Sequence, residues 1–268
     1  MPLAVCATPI GNLDDVTLRV LGALRGAELV LCEDTRRTRL LLARYDIRAN
    51  LLSYHEHNEA ERTAEVLPRL RGGALVALVS DAGLPGISDP GARLIASAVA
   101  EGLPVTVLPG PSAVETALVA SGLLSERYQF LGYLPRGEGA LRALWEELGR
   151  WPFAAVAFES PQRLSKTIAS LAETLPDRQV AVCRELTKRF EEVTRGSAAE
   201  LVERFAEAPK GEITLVIGPA AVAARGDEGT GAAAVAELVA AGVPRRRAAE
   251  LVSRLTGTPR NRLYESSL

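Results

Sequence analysis

Two short stretches of this sequence combine carboxylates with turn-forming residues. "CEDTRRT" contains Glu33, and "LVSDAGLPGISDPG", which begins at Leu78, contains Asp81 and Asp89. A carboxylate can orient a substrate hydroxyl or take its proton, and glycine lets the backbone approach a ligand closely. The stretches therefore favour a catalytic or ligand-binding site, while Asp34 could instead cap a helix and Asp89 is expected to start the next one.

A second group of charged residues follows an apolar run in "CRELTK", where Arg184, Glu185 and Lys188 lie close together. Lys188 could act as a base if burial lowered its pKa, or it could hold a phosphate. A surface network of ion pairs is the alternative. "HEHNE" (55–59) offers two histidines, but without another cluster of ligands it favours a polar cleft wall over a metal site.

Two further turns carry glycine and proline, in "ATPIGNLDD" (7–15) and "PGPSA" (109–113). The second opens a helix, whose free N–H groups could meet a carboxylate. Neither G-x-G-x-x-G nor G-x-x-x-x-G-K-[ST] occurs in these turns. A Rossmann dinucleotide site and a Walker phosphate loop therefore have no support.

Apolar runs and helical segments alternate along the first half of the chain, an order typical of parallel strands joined by crossover helices. The runs include "LAVCA", "ELVLC" and "ALVALVS". In open α/β sheets, ligands bind at the carboxyl ends of the strands, where the stretches above are expected to meet. We therefore predict an α/β fold whose site lies along one sheet edge.

The order of elements predicts two α/β domains, an N-terminal one over 1–111 and a second over 112–220. Antiparallel pairing is expected in the second domain near 188–195. The glycines of "ARGDEGTG", within 220–231, predict a linker after these domains.

The C-terminal segment 231–268 is expected to form three short helices that resemble a helix-turn-helix. From 243 to 268 it holds six arginines against two glutamates, a local net charge of +4. This charge favours contact with nucleic-acid phosphates, and a solvated basic surface is the alternative.

The bulk composition is that of a globular protein, with 268 residues, 47% hydrophobic residues and a net charge of −2. Cys6, Cys32 and Cys183 lie in apolar runs without C-x-x-C spacing, so we expect buried, reduced thiols. Neither a signal-like start nor an apolar stretch of about 18 residues is evident, so we expect a cytoplasmic location and no contact with membranes.

Seven stretches, in chain order, resemble the motifs of the tetrapyrrole methylase superfamily. They are "ATPIGNLDD", "CEDTRRT", "SDAGLPGISDPG", "PGPSAVETAL", "FESPQR", "CRELTKRFEE" and "KGE". More narrowly, the set is similar to the branch that methylates the 2′-oxygen of a cytidine in small-subunit (16S) ribosomal RNA. That branch is expected to have "ESPHR", so Gln162 replaces a histidine and leaves an acid–base role there without support.

The resemblance implies two α/β domains of the class III methyltransferase type, with S-adenosylmethionine (SAM) bound folded in the cleft between them. It implies a homodimer that transfers a methyl group to a cytidine 2′-oxygen in the decoding region of 16S rRNA, within the small ribosomal subunit. The cofactor-binding residues that it implies are Pro9, Ser80, Asp81, Ala82, Gly83, Pro85, Ile87, Ser112, Ala113, Phe158, Leu186 and Thr214.

For catalysis, the resemblance implies Glu33 as a base or as the group that orients the hydroxyl, with Glu185 and Lys188 in a second cluster. The expected RNA-binding residues are Arg36, Arg184, Arg245, Arg246, Arg247, Arg254, Arg260 and Arg262. Two alternatives stay open at this point. One is a methyltransferase of the same fold for a tetrapyrrole or a protein side chain, and the other is an RNA-binding adaptor without activity.

Overall fold

The first half of the chain forms a parallel sheet. Its strands are β1 (Leu3–Cys6), β2 (Leu29–Cys32), β3 (Leu51–Ser53), β4 (Val76–Val79) and β5 (Val105–Leu108). In the computed structural model, which describes residues 2–220, 228–256 and 258–267, they lie in the order β3-β2-β4-β1-β5. Each of the four pairings is parallel, as the alternation of elements predicts.

Helices cover both faces of this sheet. They are α1 (Leu18–Gly26), α2 (Thr35–Arg44), α3 (Glu59–Arg71) and α4 (Ala92–Ala100). Leu24 of α1 and Leu41 of α2 pack against one face. Val66 of α3 and Leu94 of α4 pack against the other. Because both faces are covered, the inner strands β1, β2 and β4 are apolar and buried along their whole length, so polar groups of these strands lie beyond their ends.

The second sheet is mixed. Its strands are β6 (Tyr128–Tyr133), β7 (Ala154–Glu159), β8 (Gln179–Arg184), β9 (Glu192–Ser197) and β10 (Ile213–Ile217), in the order β6-β7-β10-β8-β9. β6 and β7 are parallel, and the other three pairings are antiparallel. The predicted antiparallel pairing around 188–195 is therefore confirmed.

Four helices flank the second sheet, namely α5 (Ala113–Ser121), α6 (Glu138–Arg150), α7 (Pro161–Thr174) and α8 (Ala198–Arg204). α6, α7 and α8 pack on one face, around the buried Trp145. α5 packs on the other face, where Val114 and Leu118 share a cluster with Ile10 from the loop after β1. The first sheet ends at Leu108 and α5 lies on the second sheet. The division of the domains at residue 111 agrees with this arrangement and stays a prediction.

Three helices follow near the C-terminus, α9 (Glu228–Ala240), α10 (Arg245–Thr256) and α11 (Arg260–Ser266). They share a small apolar core around Val235 and Leu263. The predicted linker is wrong in its last part, because Gly229 and Gly231 lie within α9. Gly226 lies outside the described residues. A stretch rich in alanine follows these glycines, and its high helix propensity extends the helix over them.

The three cysteines are buried and free, as predicted. Burial raises the pKa of the Cys6 and Cys183 thiols to about 12. Within the described part of the chain, no helix is long and apolar enough to span a membrane.

The long loop between β4 and α4 is fixed by a carboxylate from another helix. The Glu59 side chain on α3 accepts hydrogen bonds from the backbone N–H groups of Gly91 (3.0 Å) and Arg93 (3.2 Å) and from the Tyr54 hydroxyl (3.2 Å). α4 begins at Ala92, and its N-cap residue Gly91 has no side chain. Glu59 therefore supplies the cap that the chain itself lacks at this point.

We expect Glu59→Ala to lower the free energy of unfolding by about 1–2 kcal/mol, because two backbone donors at the start of α4 lose their acceptor. Glu59→Gln keeps one acceptor oxygen and should cost less. Urea unfolding checks this, with Glu61→Ala in the same exposed turn as control. A Glu59→Ala variant as stable as Glu61→Ala would show that the cap is not needed.

Candidate functional site

The carboxyl ends of β1 and β8, one strand from each sheet, face each other across a narrow gap. The Asn12 backbone N–H after β1 donates a 3.0 Å hydrogen bond to the hydroxyl of Thr187 after β8. A Cβ atom on Gly11 would lie 2.5 Å from Lys188 Cγ and 2.9 Å from the Leu186 carbonyl oxygen. Only glycine allows this approach, so position 11 is fixed by the contact between the two loops.

The loop after β4 is tied to the loop after β1 by a small backbone bridge. The Thr8 N–H donates to the Gly83 carbonyl (2.8 Å), and the Gly83 N–H donates to the Thr8 carbonyl (3.0 Å). The Thr8 hydroxyl also donates to the Ser80 carbonyl at 3.0 Å. Gly83 has a φ of +77°, a conformation that favours glycine. The bridge holds the segment from Ser80 to Gly83 at the edge of the sheet.

An apolar cluster joins several of the residues predicted to bind a cofactor. Leu186 is buried in it, and Ala82, Ala113 and Phe158 are partly buried against it. A Cβ atom on Gly83 would lie 3.8 Å from the Pro111 carbonyl oxygen, so the "PGPSA" turn borders the same region. The structure thus brings together loops that are far apart in sequence.

A cavity of about 370 Å³ opens beside this cluster, a volume within the range of small-molecule sites. Five predicted site residues line it, namely Pro9, Ser80, Asp81, Ala82 and Lys188. It is also lined by Arg37, Thr38, Leu40 and Leu41 of α2, which were not among the predicted site residues, although Arg37 and Thr38 belong to "CEDTRRT". The sequence held one signal for this part of the lining. The i, i+3 spacing of Thr38 and Leu41 places both residues on one face of a helix.

Other predicted cofactor residues do not line this cavity. Pro85 is buried and Ile87 is exposed. The Ser112 hydroxyl hydrogen-bonds to Glu115, and Thr214 is buried in β10. Their roles stay predictions.

Three carboxylates, Glu33, Asp81 and Asp89, form an acidic cluster at this edge. Burial, followed by the charge of Glu33, raises the pKa of Asp89 to about 6, although an interaction with Ser80 opposes the shift. Burial and the charge of Asp81 likewise raise the pKa of Glu33. Asp89 was not among the predicted site residues, because an aspartate followed by proline was predicted to start a helix. The helix begins after it instead, with Gly91 as N-cap.

Asp81 is held in place from α2. Its side chain accepts a 3.0 Å hydrogen bond from the Asp34 backbone N–H and lies 3.5 Å from the Arg37 guanidinium. The Asp34 side chain in turn caps α2 by accepting from the Arg36 N–H at 2.8 Å. The helix-start reading of Asp34 is therefore confirmed.

The hypothesis that Lys188 acts as a base required a lowered pKa, and it is wrong on that point. The Lys188 ammonium donates to Glu185 and to Glu212, each at 2.9 Å. Burial acts to lower the pKa of Lys188, but the two carboxylates outweigh it and the pKa is raised. The same pairing, led by the hydrogen bond from Lys188, lowers the pKa of Glu185. Lys188 is therefore a fixed cation, and the catalytic role of Glu185 stays a prediction.

Two of the predicted RNA-binding arginines lie near the cleft and have acidic partners. Arg36 pairs with Asp34 at 2.8 Å, and Arg184 pairs with Glu192 at 2.6 Å. In the tail, Arg245 is half-buried and donates to the Ser267 carbonyl. The remaining tail arginines are exposed, namely Arg246, Arg247, Arg254, Arg260 and Arg262. Contact of these residues with RNA stays a prediction.

The two histidines stand beside the acidic cluster. The centroids of the His55 and His57 rings lie 5.9 Å apart, and His55 lies near Glu33, where it acts against the rise in the pKa of that carboxyl. Among the described residues, no group of three or more His, Cys, Asp or Glu side chains is arranged to hold a metal ion. Gln162 is exposed at the start of α7, where it accepts a hydrogen bond from Ser160.

Comparison with known proteins gives matches over most of the chain. The family model described as tetrapyrrole (corrin/porphyrin) methylases matches residues 2–202. A protein of Mesorhizobium japonicum named ribosomal RNA small subunit methyltransferase I is 44% identical over 269 residues, which cover 99% of this chain and 91% of the relative. A protein of the same name from Thermotoga maritima is 45% identical over 197 residues, 74% of this chain and 88% of the relative.

Solved structures share the fold at lower identity. The methyltransferase CobJ is 21% identical with a TM-score of 0.63, over 82% of this chain and 94% of that chain. Uroporphyrin-III C-methyl transferase from Thermus thermophilus, complexed with S-adenosyl homocysteine, is 18% identical with a TM-score of 0.56, over 80% of this chain and 96% of that chain. At these identities the likeness supports the fold alone.

We expect Asp89→Asn to stabilise the protein above pH 6. The raised pKa of Asp89 means that the native state holds its proton more tightly than the unfolded state, so stability falls as pH rises from about 4 to about 6. The amide mimics the protonated form and should add about 1 kcal/mol to the free energy of unfolding at pH 8. This is less than the full pKa shift of Asp89 implies, because water screens a partly exposed carboxyl.

Thermal unfolding at pH 4 and pH 8 measures this difference. The gain should vanish at pH 4, where Asp89 is protonated in the native state. The exposed Asp177→Asn serves as control and should show no such gain at pH 8. A variant that is less stable than the parent at pH 8 would contradict the assignment of Asp89 to a strained acidic cluster.

Proposed function

The chain belongs to the tetrapyrrole (corrin/porphyrin) methylase family, and we propose that it is a SAM-dependent methyltransferase that modifies a cytidine 2′-oxygen in the decoding region of 16S rRNA. Relatives named ribosomal RNA small subunit methyltransferase I, similar over nearly the whole chain, support the ribosomal substrate. The observation that carries the chemistry is the acidic cluster at the point where the two sheet edges meet.

The residues at this edge fit such a cofactor. Backbone groups from Ser80 to Gly83 border an apolar cluster that contains Ala113 and Phe158. The polar part of a ligand could therefore hydrogen-bond to the backbone while its apolar part packs against the cluster. SAM supplies a methyl group on a cationic sulfonium. The carboxylates of Asp81 and Glu33 favour a positive charge nearby, and Lys188 does not oppose it because Glu185 and Glu212 offset its charge.

Within the acidic cluster, Asp89 is suited to take the proton of the hydroxyl. Its pKa of about 6 makes it a stronger base than an ordinary aspartate while it is still ionised at neutral pH. Glu33, whose charge raises the pKa of Asp89, orients the ribose hydroxyl of the substrate. Thr8, Ser80 and Gly83 hold the loop that carries Asp89, so the base is positioned before the substrate arrives.

The RNA would be held by positive charges beyond the acidic cluster. Lys188 lines the cavity, where it could meet a phosphate once a carboxylate partner is displaced. In the tail, the exposed Arg246 and Arg254 are suited to phosphate contacts, because a guanidinium donates two parallel hydrogen bonds. The homodimer, the assembled small subunit as substrate and the cytoplasmic location rest on the resemblance and are part of this proposal.

Methylation of purified small ribosomal subunits, taken from a strain that lacks this protein, tests the proposal. With labelled SAM, the protein should methylate one cytidine of the decoding region, and mass spectrometry of nuclease fragments should place the label on the ribose. Label on a base, or on a protein side chain, would reject the 2′-oxygen. Methylation of a tetrapyrrole with no transfer to the subunits would reject the RNA substrate.

Glu33→Gln and Asp89→Asn should each slow single-turnover methyl transfer by about 10²–10⁴-fold, the usual contribution of a general base or its partner. SAM affinity, measured by calorimetry, should change little by comparison. Asp177→Asn is the control for loss of a carboxylate elsewhere. A rate within a few-fold of the parent would remove that residue from the mechanism.

The paired substitution Arg246→Ala and Arg254→Ala should weaken binding to small subunits and flatten its salt dependence by about two units of log–log slope. SAM affinity should not change. Arg142→Ala, on an exposed face of α6, is the matched control. An unchanged affinity and slope would mean that the tail presents only a solvated basic surface.

A further inference from the structure

Strand β6 contains an irregularity just before it ends. Phe130 pairs with Val156 and Tyr133 pairs with Phe158, so three steps along β6 match two steps along β7. Gly132, inside this bulge, has a φ of +66°, which suits glycine. Bulges of this kind redirect side chains, and here the one redirected is that of Tyr133.

The bulge reverses the normal alternation of side chains. In a regular strand, residues three apart point to opposite faces of the sheet. Yet the Phe130 and Tyr133 rings both pack edge-on against Phe158, with centroid distances of 5.0 Å and 5.6 Å. Tyr133 is therefore held against Phe158, while 67% of its surface stays exposed.

Tyr133 also lies over the meeting point of the two sheet edges. A Cβ atom on Gly132, next to it, would lie 3.9 Å from the hydroxyl of Ser88, the residue before Asp89. Burial, and then the charges of Glu212, Asp89 and Glu33, raise the pKa of the Tyr133 hydroxyl. These carboxylates come from loops of both sheets, so the exposed ring stands at the mouth of the site.

We propose that the ring of Tyr133 is the platform on which the nucleobase of the target nucleotide stacks, so that its ribose hydroxyl reaches Asp89. The ligand class is an unpaired pyrimidine nucleotide of RNA, and this inference rests on the proposed function. Proteins that read single-stranded RNA stack unpaired bases on aromatic side chains, and enzymes that act on nucleotides hold the target base outside the helix. A largely exposed ring that is held in place by a neighbouring aromatic ring offers such a surface.

The role needs the π-face of Tyr133 and not its hydroxyl. Tyr133→Phe should therefore keep kcat/KM for small subunits within about threefold of the parent. Tyr133→Ala and Tyr133→Leu should each lower it by about tenfold or more, the size of effect expected for a lost base–aromatic stack. Leucine keeps apolar bulk over Phe158, so it separates stacking from simple packing.

The matched control is Tyr128→Ala, at the opposite end of the same strand, where the Tyr128 hydroxyl donates to Glu115 at 2.6 Å. It should leave kcat/KM near that of the parent. Each variant is also tested for SAM affinity by calorimetry, for thermal stability, and for binding to small subunits with S-adenosylhomocysteine present. Tyr133→Ala and Tyr133→Leu should weaken subunit binding without changing SAM affinity.

The outcomes separate this inference from the proposed function. If the parent methylates the subunits and Tyr133→Ala matches Tyr128→Ala, the stacking role is rejected and the function stands. If Tyr133→Leu retains the activity of Tyr133→Phe, apolar bulk rather than stacking is what matters, and the proposal is again rejected. If the parent transfers no methyl group to RNA, both are rejected.

Discussion

The site depends on one close approach, that of the loop after β1 to the loop after β8. Gly11 lies so near Thr187 and Lys188 that no side chain fits between them, and the Asn12 N–H is hydrogen-bonded across the gap. Together with the apolar cluster that joins Ile10 to Leu186, this contact links two sheets that each have their own helices and apolar core. Without it, neither edge alone would have both the acidic cluster and the aromatic residues.

The charges at this junction balance in a way that suits a cationic donor and an anionic substrate. Burial raises the pKa of both Asp89 and Glu33, the charge of Glu33 raises that of Asp89 further, and the charge of Asp81 raises both, an arrangement that costs stability. Lys188, Glu185 and Glu212 form a paired group on the facing edge, so the cavity keeps a cation without an excess of positive charge. In the proposed reaction, the carboxylates whose pKa values are raised are the ones that act on the substrate hydroxyl.

Much of the fold could be predicted from the sequence, because short apolar runs bounded by turn residues mark strands that are covered on both faces. The parallel first sheet follows from such runs, whereas the antiparallel pairing of β8 with β9 was predicted from the short connection around 188–195. The start of α9 could not be placed, because glycines that predict a linker are overridden by the alanine-rich helix that follows.

The site was less predictable, since its features depend on contacts between distant segments. The motifs marked the loops at Ser80 and Asp81, but the pairing of Lys188 with Glu212 joins residues 24 positions apart. The cap on α4 comes from Glu59, in another helix, and the bulge at Gly132 changes the direction of a side chain without a clear sequence signal. The cap on α4 and the direction of the Tyr133 side chain therefore depend on tertiary contacts.

The most direct measurement of the central claim is a crystal structure of the protein with S-adenosylhomocysteine. The account predicts that the ligand lies at the junction of the two sheet edges and contacts the backbone between Ser80 and Gly83, with Ala113 or Phe158 on its apolar side. A ligand bound elsewhere, with no contact to the segment from Ser80 to Gly83, would contradict it.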